Sequence, residues 1–310
     1  MQTPAKNIHI IRILLLLFLV NGAVLDVNSQ AVVDSTRLMN TLKALSSEEM
    51  AGRFTGTNGI SRARLLIQDR FDEAHLEPLA ETWLIPFDID KKKDYPPQGV
   101  NIVGRIAGQS DSAVVVTAHY DHLGVKKGET YFGADDNASG VTVMLEAATL
   151  FSKSETKPIY TIIFAALDAE ETGLLGGYAL VDYLIGKGIP VKLNLNMDMV
   201  SKGFKNELYV CGTYHYPQLI PLIDTTGNTY AKVVLKLGHD RPEQGQDDWT
   251  NSSDHGAFHK QKIPFLYFGV EDHKYYHQPT DTFETTPFSF FLRSGQTIVG
   301  FLDKYLYAKR

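Results

Sequence analysis

The chain has one cysteine, Cys211, in 310 residues. An internal disulfide is therefore excluded, and stability has to come from burial. The lone thiol reads as a small buried hydrophobe in a strand, not as a nucleophile. An excess of positive charge is also missing. Lys plus Arg is 30 against 36 Asp plus Glu, a net −6. That balance argues against a general nucleic-acid binder, which carries a basic face. No internal repeat and no long low-complexity tract occurs, which excludes solenoids and sticky tails. Nor does the N-terminus carry the ~20 apolar residues of a spanning helix.

What the N-terminus does carry is shorter. Lys6 and Arg12 precede ILLLLFLV at 13–20, with small residues at Gly22, Ala23, Ser29 and Ala31. A charged segment, a short apolar run and a small-residue site make a cleaved signal peptide over 1–31. No cysteine follows the run, so a lipoprotein anchor is not expected. The predicted product is exported, periplasmic or extracellular, with no stable membrane insertion after cleavage. Residues 32–310 read as one domain, and 44% hydrophobic content is enough to bury a core.

STRLMNTLKALSS (35–47) predicts an amphipathic helix with Ser35 as its N-cap, and apolar spacing predicts another over 59–76. AGRFTGTNG between them reads as a Gly-rich polar turn, and KKKDYPPQG (91–99) as a charged surface loop. From residue 100 short β-rich runs alternate with helical segments: NIVGRIAG, AVVVTAH, YTIIFAALD, LNLNMDMV, ELYVCG, AKVVLKLG and IPFLYFGV, with helices near 139–152, 174–187 and 288–307. Continuous apolar strands suggest burial on both faces. The fold class expected is α/β, a three-layer α/β/α sandwich with a mostly parallel mixed central sheet.

The polar residues fall in a pattern. AVVVTA leads to His119 and Asp121, TIIFAALDA to Glu170 and Glu171, LNLNM to Asp198, and IPFLYFGV to His273 and His277. Sites in open α/β sheets form beyond the carboxyl ends of strands, so these side chains reach one sheet edge. Imidazole and carboxylate are zinc donors, and each ion takes three or four protein ligands. FGADDNASG (132–140) adds adjacent carboxylates, Asp135 and Asp136. One of the two could bridge a pair of cations about 3.5–4 Å apart, which would offset the cost of crowding them. Of Glu170 and Glu171, one could bind metal while the other serves as general base and acid.

AHYDHLG, GADDNASG, LDAEETGLLGG, NMDMV, SDHGAF and YYHQPTDT together resemble the co-catalytic two-zinc exopeptidases, which include secreted bacterial leucyl aminopeptidases and glutamate carboxypeptidases. The resemblance runs from about residue 51 to about 282. It implies the phosphorylase/hydrolase-like sandwich and two Zn2+ per chain. His119 and Asp198 would bind one zinc, Glu171 and His277 the other, and Asp135 would bridge. Glu170 would be the general base and acid, and Asp121 would orient His119. Asp136 would follow Asp135 through a cis peptide, and Tyr276 would hydrogen-bond the developing oxyanion. The activity implied is hydrolysis at the N-terminus of peptide substrates.

Other residues read more blandly. Ser253-Asp254-His255 are too close in sequence to form a nucleophilic relay, and Ser253 is a candidate helix N-cap. His122 and His273 are expected at the surface or behind the ligands. Trp249, in the polar tract 239–253, is either one wall of the substrate pocket or a stray exposed ring. A glutaminyl cyclase on a related fold, using one zinc, is the competing activity, and a non-catalytic binding domain is the third reading. Oligomeric state is not legible.

Overall fold

The computed structural model describes residues 31–89, 96–227 and 233–307. The expected signal segment falls outside them except for Ala31, as does most of the 91–99 loop. In chain order the helices are α1 (Ser35–Leu45), α2 (Asn58–Glu73), α3 (Gly140–Ser152), α4 (Leu175–Gly186), α5 (Ile220–Gly227), α6 (His255–Lys260) and α7 (Phe288–Tyr307). The strands are β1 (Glu77–Pro78), β2 (Leu84–Asp88), β3 (Gln98–Ile106), β4 (Ser110–His119), β5 (Val125–Lys126), β6 (Glu129–Thr130), β7 (Tyr160–Leu167), β8 (Val191–Met197), β9 (Glu207–Cys211), β10 (Val234–Leu237) and β11 (Phe265–Gly269).

Among the described residues nine strands form one sheet in the order β1-β3-β7-β4-β8-β11-β9-β10, with β2 also on β3, and β5-β6 is a separate hairpin. The centre, β7-β4-β8-β11, is parallel. β1, β2 and β7 pair antiparallel with β3, and β11 pairs antiparallel with β9. The parallel part is thus confined to the centre and one outer pair, β9-β10.

Alternation along β4 shows why the sheet is buried twice. Val114, Val116 and Ala118 join the core under α1, α2, α3 and α7, whereas Ala113 and Val115 join the core under α4 and α6. Successive side chains point to opposite faces, so the continuous apolar run Ala113–Val116 needs cover on both sides. The layers are helix, sheet and helix. Cys211 is buried in β9, as its sequence context suggested. Among the described residues no helix is long and apolar enough to cross a membrane.

One local expectation shifts. The cap of α1 is Asp34, whose carboxylate accepts from the N–H groups of Thr36 and Arg37 at 2.9 and 3.0 Å. Ser35 is the first helical residue instead. Two good cap residues stand side by side, and the carboxylate that reaches the free N–H groups wins.

The AGRF turn is more than a connector. Arg53 is fully buried, and its Nε donates to the Tyr120 carbonyl at 2.9 Å. Its Nη1 donates to Leu45 and Phe132 at 2.6 and 2.7 Å, and Nη2 to Gly133 at 2.9 Å. One guanidinium thus ties the end of α1 to the segments after β4 and before α3. Arg53→Met strands four buried carbonyls and is expected to cost about 3–5 kcal/mol. Urea unfolding measures this, and a loss below about 1 kcal/mol would contradict the clamp.

Candidate metal centre

The carboxyl ends of β4, β7, β8 and β11 meet over the N-terminal end of α3. His119 ends β4, Glu170 and Glu171 follow β7, Asp198 follows β8, and His277 lies in the segment after β11. Asp136 stands in the middle. Its Oδ1 is 3.4 Å from His119 Nε2, and its Oδ2 is 3.0 Å from His277 Nε2. Asp198 Oδ1 is 3.3 Å from His119 Nε2, and Glu171 Oε2 is 3.4 Å from His277 Nε2. One carboxylate therefore faces both histidines, one oxygen each.

The structure puts Asp136, not the expected Asp135, between the two histidines. Asp135 is turned away from the histidines of the centre. Its Oδ1 accepts from Ser201 N at 2.7 Å, Ser201 Oγ at 2.8 Å and Ser139 Oγ at 3.2 Å, while Oδ2 accepts from His273 Nε2 at 2.8 Å. Those bonds occupy both oxygens. Burial opposes its charge, but His273 and Ser201 hold its pKa below the ordinary value. The cis peptide moves too and joins Asp136 to Asn137. Gly133, at φ 57°, turns the chain into this segment, and a Cβ there would collide with the Asp136 carbonyl and the His122 ring.

His122 and His273 are not surface residues. His273 holds Asp135, and its Nδ1 accepts from Tyr275 N at 3.2 Å, which assigns the proton to Nε2. His122 is fully buried, with Nδ1 2.7 Å from Glu171 Oε1 and 3.7 Å from Asp136 Oδ2. The HYDH run contained this signal, since a histidine three residues after His119 stays at the same sheet edge.

Supporting contacts fix the set. Asp121 accepts from Glu170 N at 3.0 Å and Glu171 N at 3.3 Å, so its carboxylate holds the loop carrying both glutamates. His119 Nδ1 lies 3.2 Å from the Asp121 carbonyl and 3.6 Å from its carboxylate. Asn137 donates to the Met197 carbonyl at 2.9 Å and accepts from Gly140 N at 2.9 Å. Ala169, Met199 and His277 take φ of 59°, 57° and 53°. Left-handed backbone in non-glycine residues costs on the order of 1–3 kcal/mol and gathers at functional sites. Tyr276 stacks on His277 with centroids 3.9 Å apart. Ser253 does not cap α6; it accepts from Asn196 Nδ2 at 2.9 Å, and His255 Nε2 donates to the Trp249 carbonyl at 2.8 Å. Trp249 stacks on His239, with centroids 3.6 Å apart.

The electrostatics match a cation site. Burial and the neighbouring Glu171 charge push Asp136 up to about 6. Loss of water raises Glu170 well above the carboxylate range, against the pull of His119. Burial disfavours charge on His277, yet its bonds to Asp136 and Glu171 push it up to about 10. His119 is likewise raised, by Asp198 and Glu170 against burial. The His119 Nε2 and Asp198 Oδ1 atoms are buried without a hydrogen-bond partner, as is His122 Nε2. Such atoms each cost about 1–3 kcal/mol unless something binds them. His119, Asp136 and Asp198 offer donor atoms within 4.8 Å of one another, and so do His122, Asp136 and Glu171. Imidazole nitrogen with carboxylate oxygen is a zinc donor set, so these residues fit the metal.

Comparison with known proteins agrees. The model of Peptidase family M28 matches residues 101–302. Aminopeptidase YwaD of Bacillus subtilis is 34% identical over 183 residues, covering 55% of this chain and 36% of the relative. The chain spans between 36% and 58% of the length of the curated relatives it matches. A zinc aminopeptidase structure from Bacillus subtilis superposes with TM-score 0.72 at 18% identity, covering 91% of this chain and 97% of that one. Porphyromonas gingivalis glutaminyl cyclase superposes equally, with TM-score 0.72 at 18% identity, covering 88% and 99%. These two likenesses establish the fold.

Metal must compete with protons here. A raised histidine pKa keeps the ring protonated below that pKa, and ligation requires its neutral form. Zinc affinity is expected to rise from pH 6 to pH 8, about tenfold per pH unit for each proton displaced. Competition with a chromophoric chelator measures it, and a flat profile would contradict the ligand roles of the histidines.

Proposed function

The chain belongs to peptidase family M28, and on that premise we propose that it is a two-zinc aminopeptidase removing residues from the N-terminus of peptides. One zinc would be held by His119, Asp136 and Asp198, the other by Asp136, Glu171 and His277. The carrying observation is the Asp136 carboxylate, with one oxygen toward each histidine. When bound, the ion pair supplies electrophilic pull on the scissile carbonyl and makes water a stronger acid.

The chain's own residues supply the rest. Glu170 takes a proton from the attacking water and returns it to the leaving amine. Burial raises its proton affinity above that of an ordinary carboxylate, which makes it a stronger base. Asp121 aims Glu170 through its backbone N–H. Tyr276, beside His277, would donate to the oxyanion that forms on the carbonyl. The apolar run at 13–20 supports export to the periplasm or outside the cell, with 32–310 as the catalytic domain.

Zinc analysis and a panel of aminoacyl-anilides, free and N-blocked, test this reading. Two zincs per chain, cleavage of free-amine substrates alone and loss of activity with chelator are expected. Glu170→Gln should keep both zincs and lose about 10²–10⁴-fold in kcat. One zinc, inert anilides and cyclisation of N-terminal glutamine would make the protein a cyclase. Bound zinc without hydrolysis of any peptide would make it a binding domain.

A further inference from the structure

Asp281 lies in YYHQPTDT and is fully buried. Its carboxylate reaches into the turn that carries Asp136. Asp135 N donates to Oδ1 and Oδ2 at 3.2 and 3.0 Å, and Asp136 N donates to Oδ2 at 3.2 Å. The Asp281 carbonyl accepts from Ala134 N at 3.0 Å. Three successive N–H groups of one turn thus end on one residue.

The other partner of Asp281 is Lys202. Its Nζ is 3.0 Å from Asp281 Oδ1, and its side chain is fully buried. The same Nζ donates to the Thr282 carbonyl at 3.0 Å and to Thr285 Oγ1. It also sits over the Tyr275 ring at 4.9 Å. Lys202 stands four residues after Asp198, and Asp281 stands four after His277. One ion pair therefore links three segments that deliver candidate ligands: the turn of Asp136, the loop of Asp198 and the loop of His277.

Burying such a pair is poor value for stability alone. Desolvation commonly cancels the attraction, and apolar replacements of buried pairs are often neutral or stabilising. A fixed negative end aimed at the N–H of Asp136, and gripped by the Asp198 loop, has a geometric use instead. Asp136 has to present two oxygens to two partners at once, and a small rotation of its backbone would withdraw one.

We infer that Lys202 and Asp281 form a positioning pair that sets the orientation of the Asp136 carboxylate, and through it the affinity and spacing of both metal ions. The inference rests on the two-zinc reading of the site. It assigns neither residue contact with substrate or metal. Removing the pair should leave the fold intact and loosen the metals, because outer partners of metal ligands commonly control about 10–100-fold in affinity.

The test is the full chain carrying Lys202→Met together with Asp281→Asn, which removes both charges and keeps one acceptor. The metal-free melting temperature is expected to stay within about 4 °C of wild type. Zinc dissociation constants, measured by competition with a chromophoric chelator, should rise about 10–100-fold at both sites. With zinc saturating, kcat should fall while KM changes little. Lys202→Gln, which keeps donors and loses charge, should show the same change at a smaller size, and it carries the test if the double variant does not fold. Wild-type zinc affinity in the folded double variant, or in Lys202→Gln if that alone folds, would overturn the inference. A wild-type chain that binds no zinc would overturn the proposed function, and the inference with it.

Discussion

The structure is organised around one carboxylate that has to satisfy two histidines. Asp136 faces His119 with one oxygen and His277 with the other. No single element could hold it that way. The turn before α3 places it at the meeting point of four strand ends, and every surrounding segment contributes a contact. Asp281 takes its backbone N–H, Asn137 ties the following residue to β8, and Gly133 provides the left-handed entry.

The second constraint is charge. Asp121, Asp136, Glu170, Glu171 and Asp198 converge in a volume poor in water, where like charges cannot all stay ionised cheaply. The protein answers in three ways. Two buried cations lie behind the carboxylates: Arg53 donates to backbone carbonyls, and Lys202 to Asp281, the Thr282 carbonyl and Thr285. Histidines take protons, as the raised values of His119 and His277 indicate. Burial raises the proton affinity of Glu170, so its carboxylate holds charge less readily than an exposed one. Asp135 belongs to the support: it is fully engaged by Ser201, Ser139 and His273, and so locks the same three segments from the other side.

Much of this was legible in the sequence because the signals were local. Continuous apolar runs such as AVVV in β4 and IIFAAL in β7 announced a sheet covered twice, and acidic and histidine residues after the runs announced one edge. His119, Glu171, Asp198 and His277 meet there. The errors came where two suitable residues stand side by side. Between Asp135 and Asp136, the choice rests on partners 66 to 146 positions away, Ser201, His273 and Asp281, which no local pattern shows. Between Asp34 and Ser35 it rests on one turn of helix entry. The AGRF arginine was read as a polar turn, because a buried guanidinium satisfied only by carbonyls leaves no mark in hydropathy. The mixed central sheet was expected, and the structure places its antiparallel pairs at β3 and between β9 and β11.

The central claim is that Asp136 alone is shared between two metal ions. Anomalous diffraction from crystals of the zinc-loaded protein, recorded on both sides of the zinc edge, tests it directly. The account predicts two zinc peaks flanking the Asp136 carboxylate, one beside His119 and Asp198 and the other beside Glu171 and His277, with Asp135 bound to Ser201 and His273. A single peak, or a pair bridged by Asp135, would contradict it.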